Sequence, residues 1–125
     1  MKTKTPLQAL MDKYKDYSEF IDKRLTDPNQ RGYSGDSLLD LVARVGTLEE
    51  VDLLIAANAQ INSPGDMGYT PLHSAASEGR LDMVEHLLKL GADPTLRSEF
   101  GATPAETAEV LDKPEIAAFV RSFNK

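Results

Sequence analysis

The side chains of this sequence that could do chemistry are two histidines, several serines and a pair of carboxylates. His73 and His86 fall on different predicted helices and the chain contains no cysteine, so a zinc site would need carboxylates as its remaining ligands. Ser63, Ser74 and Ser77 have no base placed beside them as in a nucleophile elbow. The sequence therefore predicts no metal site and no catalytic residue.

Asp36 and Asp40 come nearest to a catalytic carboxylate pair, because they lie one helical turn apart. The same spacing suits a helix start, where acceptors cap backbone N–H groups and carboxylates oppose the helix dipole. The glycine-rich segment 65–68 is followed by Thr-Pro rather than by the lysine and hydroxyl residue of a phosphate loop. We expect a protein that is not an enzyme and has no cofactor.

A repeated unit organises the chain. The segment 68–76 reads Gly-Tyr-Thr-Pro-Leu-His-Ser-Ala-Ala, and its markers recur without a gap at Gly101 and Thr103, and earlier at Gly35 and Ser37. Units of this size, about 33 residues, cannot bury a core alone and must stack on their neighbours. Such a period indicates a protein that binds rather than catalyses.

Each unit is predicted to form a helix, a turn, a second helix and an extended finger. Thr70 supplies an N-cap hydroxyl, and Pro71 already has the φ of a helix start. Gly79 permits the reversal between the helices, and Gly91 and its counterpart Asn58 tolerate a left-handed C-cap. The second helix has apolar residues at helical spacing, at Leu81, Val84, Leu87 and Leu88. Further capping boxes are expected at Thr47 with Glu50, Thr103 with Glu106, and Asp112 with Glu115.

Residues 65–97 resemble the ankyrin repeat, whose signature opens with Thr-Pro-Leu-His, continues with small residues and closes with Gly-Ala-Asp. The resemblance implies an all-α fold, an ankyrin-repeat solenoid of about four helix-turn-helix units with extended finger turns. We expect a degenerate N-terminal capping repeat at 1–31, repeats at 32–64 and 65–97, and a C-terminal capping repeat at 98–125. The first of these should expose polar groups and carry an apolar stripe on its second helix, at Tyr14, Tyr17, Phe20, Ile21 and Leu25.

Length and composition agree with one small domain. The 125 residues are 41% apolar, enough for a working core, and we expect these four units to make a complete domain. The sequence has no apolar run long enough to span a bilayer and no signal-peptide pattern, so we expect no membrane association. The lack of cysteine is compatible with a reducing compartment, and we expect a cytoplasmic protein.

Charge is distributed unevenly. Residues 32–125 hold 7 Lys or Arg and 15 Asp or Glu, a net charge of -8. Such an acidic surface repels nucleic acid phosphates and favours a basic protein partner. The alternative is that the acidic residues only keep the protein soluble.

In the ankyrin family the fingertips and the exposed ends of the first helices line a concave face. That resemblance assigns partner binding to Tyr33, Asp36, Arg44, Asp66, Met67, Tyr69, Ser77, Glu78, Glu99, Phe100, Val110 and Leu111. Exposed turns favour small polar residues, so aromatic groups ringed by acids predict a bound protein. The alternative is that Tyr69 leans on Phe100 and stiffens the array.

Two functions fit these observations. The first is a monomeric module that inhibits or regulates a protein partner by occluding it, as the resemblance to small ankyrin regulators and bacterial immunity proteins implies. The Ser-Leu-Leu-Asp of residues 37–40, where the family has Thr-Pro-Leu-His, is similar to the looser bacterial kind. The second is a structural or scaffold module that tethers a complex or, in its simplest form, assembles as a homodimer through its N-terminal helices and the stripe containing Tyr14, Tyr17 and Phe20.

Overall fold

The computed structural model describes residues 3–17, 20 and 27–123. These residues form α1 Pro6–Tyr14, α2 Leu38–Val45, α3 Leu48–Ala56, α4 Pro71–Ser77, α5 Leu81–Lys89, α6 Pro104–Val110 and α7 Pro114–Ser122. A single 3-10 turn spans Asp66–Gly68, and an isolated antiparallel bridge joins Arg31 to Ser37. The expected all-α architecture is confirmed.

The helices form two layers with a shared core. Helix α4 packs between α2 and α6, and α3, α5 and α7 lie behind these three as a second layer. Ala75 and Ala108 are fully buried in the first layer, where their small side chains permit close stacking. Leu54 and Leu87, which occupy equivalent positions of successive repeats, are fully buried in the second layer. Each unit therefore completes the core of its neighbour.

The first-layer helices all begin with the same cap. The side chains of Ser37, Thr70 and Thr103 each accept a hydrogen bond from the backbone N–H three residues later, and the residue there caps back in return. The predicted box at Thr47 with Glu50 is also present. These caps fix where each helix starts, so they also fix where its far end meets the surface.

The predicted capping box at Asp112 is wrong. Asp112 has a φ of 61° and Lys113 occupies the N-cap position, with no side-chain cap. The reason is the repeat itself, because Asp112 stands one repeat after Gly79, which has a φ of 74° at the reversal between α4 and α5. Aspartate tolerates the left-handed conformation better than most residues, so it serves as the turn residue here.

The residues of the predicted apolar stripe do not share one helix. Tyr14 is the last residue of α1, and Tyr17 and Phe20 follow it instead of sharing a second helix with it. Tyr14 and Phe20 are buried within the chain, whereas Tyr17 is exposed. Of the three rings named in the homodimer hypothesis, Tyr17 alone is therefore exposed at the surface. Ile21 and Leu25 lie outside the described residues.

Helix α1 is joined to the second layer by a polar cluster. The Tyr14 hydroxyl donates to Glu50 Oε1 at 2.8 Å, and Lys13 Nζ lies 2.6 Å from Glu50 Oε2. Burial together with this hydrogen bond raises the pKa of Tyr14 above its usual range. The phenol therefore stays a donor to Glu50 throughout the physiological pH range.

Three fingers connect the units, and all three close by the same hydrogen bonds. The N–H groups of Gly32, Gly65 and Ser98 each donate to the carbonyl four residues later, over 2.8, 2.7 and 2.9 Å. At each tip a glycine has positive φ, namely Gly35, Gly68 and Gly101. Only glycine takes this conformation without strain, so the tips keep one shape from repeat to repeat.

Candidate protein-binding groove

The predicted binding residues lie along one row of fingertips and one row of helix ends. We call this surface the groove and define it by the fingertips 33–36, 66–69 and 99–102 and by the C-terminal ends of α2, α4 and α6. Its fingertip acids Asp66 and Glu99 are exposed, as is Glu78 at the end of α4. Tyr33 is also exposed at the first fingertip.

The structure brings four of the predicted residues together in an apolar cleft of about 250 Å³ at the α6 end of the groove. This cleft is lined by Tyr69, Ser98, Phe100, Ala102, Thr107, Val110 and Leu111. Phe100 is 72% exposed and Val110 is 82% exposed. Single exposed apolar residues are ordinary on protein surfaces, whereas several around one cleft form the kind of apolar patch that is common at binding surfaces.

Sequence reasoning missed Ser98 and Thr107 in this cleft. Neither has a chemical signature of binding. Spacing could have found them, because Thr107 lies three residues before Val110 on α6 and Ser98 directly precedes the predicted fingertip residue Glu99. Val45 is also exposed, at the end of α2 in the register position of Leu111.

Tyr69 packs downward onto the helix layer. Its ring stacks on the His73 ring with centroids 5.3 Å apart and an interplanar angle of 18°, and its side chain is half-buried. Tyr69 therefore stiffens the array through His73 and also supplies one wall of the cleft.

His73 joins α4 to the third finger. Its Nδ1 accepts from the Thr70 N–H at 3.2 Å, so the proton lies on Nε2, which donates to the Ala102 carbonyl at 2.8 Å. The ring is fully buried, and this burial lowers the pKa of His73. A neutral imidazole therefore orders the backbone here by joining the start of α4 to the third finger.

Asp36 was expected on the exposed face, and the structure corrects this. The side chain is 2% exposed, and both of its oxygens are occupied. Oδ2 accepts from Arg44 at 2.7 Å, and Oδ1 accepts from the Asp66 N–H at 2.8 Å. Asp36 and Arg44 therefore hold the second fingertip in position, and Asp36 does not reach a partner itself.

Met67 and Ser77 are each partly accessible, and each also forms a hydrogen bond within the protein. Met67 is partly exposed with a φ of 59°, and its carbonyl accepts from the Glu99 N–H at 3.0 Å. Ser77 is half-buried, and its hydroxyl donates to the Ser74 carbonyl at 2.8 Å. Hydrogen bonds thus run from the first finger to the second and from the second to the third, so the groove is preformed.

The described residues contain neither a group of side chains that could hold a metal ion nor a helix that could span a membrane. Within 3–17, 20 and 27–123, no three His, Asp or Glu side chains are grouped so that they could hold a metal ion. In that same part of the chain, every helix is too short or too polar to cross a bilayer. The arrangement can present apolar and acidic groups to another molecule, and this is what a binding surface requires.

Comparison with known proteins agrees with the geometry. The family described as ankyrin repeats (3 copies) matches residues 7–98. The chain is 43% identical to the 2-5A-dependent ribonuclease of Mus musculus over 70 residues, which are 55% of this chain and 10% of that protein. It is 37% identical to protein phosphatase 1 regulatory subunit 27 of Homo sapiens over 90 residues, 72% of this chain and 56% of that protein.

The E3 ubiquitin-protein ligase Ufd4 of Drosophila melanogaster is 38% identical over 107 residues, covering 83% of this chain and 4% of that protein. The chain thus spans only part of each of these three relatives, from 4% to 56% of their length. Repeats of this kind generally serve as protein–protein interaction modules, and this chain belongs to the ankyrin repeat family.

Proposed function

We propose that this chain binds a protein partner in its groove, as a monomer, and regulates that partner by covering part of its surface. The observation that carries the proposal is the apolar cleft beside Phe100 and Val110, two large side chains left mostly in water. Covering them removes apolar surface from water, which is the main driving force of association. A surface that served only to stiffen the array would not need to expose Phe100 and Val110.

The cleft suits one anchoring side chain better than a whole small molecule. Small-molecule pockets usually enclose roughly 300–1,000 Å³, whereas this cleft has a volume of about 250 Å³. Apolar or aromatic anchors in such clefts supply much of the binding energy of protein interfaces. We therefore infer that the partner inserts one large apolar side chain.

The acidic residues of the groove predict which partner residues should flank that anchor. Asp66, Glu78 and Glu99 are exposed along the groove, while Arg44 is committed to Asp36. A partner with lysine or arginine beside its apolar anchor complements this surface and is attracted to it from a distance. Because the fingers are already joined by hydrogen bonds, binding costs little ordering entropy.

A regulatory outcome has one precedent among the similar proteins. One of them is named as regulatory subunit 27 of protein phosphatase 1. That name describes the relative, but it supports the view that a short chain of these repeats regulates a protein by binding it. Inhibition by occlusion, as in an immunity protein, is the form of regulation that a rigid groove without catalytic groups can perform.

The test is selection from a phage-displayed random peptide library, followed by fluorescence anisotropy with the enriched peptides. The groove variant is Phe100→Ala with Val110→Ala. Tyr69 is kept because its ring packs on buried His73. The matched control is Leu81→Ala with Leu90→Ala, which removes two exposed leucines from α5 and its C-cap.

We expect enriched peptides that carry an apolar residue flanked by Lys or Arg. They should bind the control variant as they bind the unaltered protein and bind the groove variant at least about tenfold more weakly, since two anchor contacts are lost. Both variants should melt close to the unaltered protein, because the replaced side chains are exposed. Equal affinity for the groove variant and the unaltered protein would contradict the proposal.

A further inference from the structure

Asp40 is a fully buried carboxyl group with one oxygen unused. Its Oδ2 accepts from the Ser37 N–H at 2.9 Å and from the Ser37 hydroxyl at 3.1 Å. Its Oδ1 is also buried and has no hydrogen-bond partner within the described chain. A buried ionised oxygen without a donor is costly, whereas a protonated one becomes a donor and can use a carbonyl.

The repeat register identifies that carbonyl. Asp40 stands one repeat before His73, whose Nε2–H donates to the Ala102 carbonyl. The carbonyl one repeat before that of Ala102 belongs to Tyr69, and it accepts from Gly65 as the Ala102 carbonyl accepts from Ser98. A carbonyl oxygen has two lone pairs, so that of Tyr69 has room for a second donor.

A second carboxylate lies beside Asp40 and disfavours its ionisation. A Cβ atom on Gly65 would lie 2.2 Å from Asp36 Oδ1 and 2.7 Å from Asp40 Oδ2, so both carboxyls face the same point of the second finger. Burial first, and then the charge of Asp36, raises the pKa of Asp40 to about 7, against the opposing effect of the Ser37 hydrogen bonds. Two carboxyls at this distance hold one charge more readily than two.

Other charged groups around Asp40 already have partners. Arg31, which lowers the pKa of Asp40, is held by the Gly35 and Pro64 carbonyls at 2.5 and 2.7 Å, and Asp66 faces Asp36 through its N–H. Elsewhere the partners are Arg44 with Asp36, Glu50 of α3 with Lys13, His73 of α4 with Ala102, and Arg80 with the carbonyls of Val42 and Ala43. None of these contacts supplies a donor to Asp40 Oδ1.

We propose that Asp40 is a proton-operated latch on the second finger. In the closed state the neutral carboxyl carries its proton on Oδ1 and donates it to the Tyr69 carbonyl, as His73 does one repeat later. Loss of the proton removes this bond and places a second negative charge against Asp36 and the finger backbone. The finger 65–69, which presents Asp66 and Met67 to the groove, is then held less tightly.

The latch works in a defined pH range. In the unfolded chain an aspartate releases its proton near about pH 3.9, whereas the pKa of Asp40 in the fold is about 7. The stability that Asp40 contributes is therefore fully present below about pH 4, falls as pH rises, and is lost as pH passes about 7. This inference goes beyond the proposed function, and its test needs no partner.

The first experiment is a carboxyl ¹³C NMR titration of the unaltered protein, with the Asp40 signal identified by its loss in Asp40→Asn. We expect the Asp40 Cγ resonance to titrate with a midpoint between about pH 6 and 8. We also expect the Gly65 and Asp66 amide resonances to shift with the same midpoint, since they report on the finger. A midpoint at the ordinary aspartate value, or amides that do not move with it, would overturn the proposal.

The second experiment compares melting temperatures of Asp40→Asn and the unaltered protein at pH 5 and pH 8. The asparagine amide donates at every pH. The melting temperature of the variant minus that of the unaltered protein should therefore be at least about 4 °C higher at pH 8 than at pH 5. Asp66→Asn is the matched control, because it removes one charge from the exposed tip of the same finger. Its melting temperature should differ from that of the unaltered protein by the same amount at both pH values. A constant difference for Asp40→Asn as well would refute the latch.

Discussion

One position in each first-layer helix shows how different side chains perform the same task. Asp40, His73 and Glu106 occupy it in successive repeats, and each accepts a hydrogen bond from the N–H of its own N-cap residue. The requirement at the helix start is an acceptor, and carboxylate and imidazole both supply one. The three groups differ in their second polar atom. In neutral His73 this atom is Nε2, whose N–H donates to the Ala102 carbonyl of the third finger.

His73 therefore predicts a pH dependence opposite to that of Asp40. Its lowered pKa means that the unfolded chain takes up a proton near about pH 6.5 before the folded protein does. The stability it contributes is present above that pH and lost as pH falls through the lowered pKa of the fold. We expect His73→Gln to be less stable by about 1–3 kcal/mol at pH 7.5, and we expect this gap to narrow at pH 5 in urea unfolding.

His86→Gln is the control for this prediction. His86 is a partly exposed histidine whose Nε2 lies 2.7 Å from Asp52 Oδ1 in a polar pair at the surface. Such pairs contribute about 0–1 kcal/mol, so the variant should lose little stability at pH 7.5. If the gap between His73→Gln and the unaltered protein were the same at pH 7.5 and pH 5, His73 would not be held neutral by the fold.

Single residues also show where sequence reasoning stops. The caps at Thr70 and Thr103 were predictable, because they depend on residues three positions apart. The burial of Asp36 was not, because its partners Arg44 and Asp66 meet it only after the finger folds back onto α2. A fingertip acid that binds a partner and one that binds the neighbouring finger are identical in sequence.

At the scale of elements, local signals predicted the helices well where the repeat is regular. Thr70, Pro71 and Gly79 bracket α4, which spans Pro71–Ser77. The N-terminal segment has the same start signal, at Thr5 and Pro6, but no glycine marks where α1 ends, and there the predicted stripe crossed the end of the helix at Tyr14. Apolar spacing alone does not show where one helix stops, so periodicity without a cap gave the wrong boundary.

The packing of α5 makes a direct prediction about stability. Leu87 is fully buried between the layers, so Leu87→Ala should lower the free energy of unfolding by about 2–5 kcal/mol. Leu81→Ala in the same helix should cost much less, because that side chain is 44% exposed. Chemical denaturation of both variants measures the difference. Similar costs for the two leucines would mean that α5 presents another face to the core.

At the scale of the molecule, the groove results from stacking. Tyr69 comes from the second finger and Val110 and Leu111 from the end of α6, yet they line one cleft because α4 and α6 lie side by side. The sequence predicted these residues one by one from the repeat register. That they enclose a shared cleft at one end of the groove follows only from the stacked helices and from the fingers that are joined across them.

The whole charge distribution predicts how binding depends on salt. Residues 32–125 have a net charge of -8, and Asp66, Glu78 and Glu99 are exposed in the groove. If a basic partner is drawn in by this field, raising NaCl from about 50 to about 500 mM should slow association more than it speeds dissociation, because salt screens long-range attraction. Stopped-flow binding of a groove-selected peptide measures both rates. We expect the dissociation rate to stay nearly constant, because salt does not screen the contact of the apolar anchor. An association rate that does not change with salt would contradict attraction by the acidic groove and would mean that the cleft alone selects the partner.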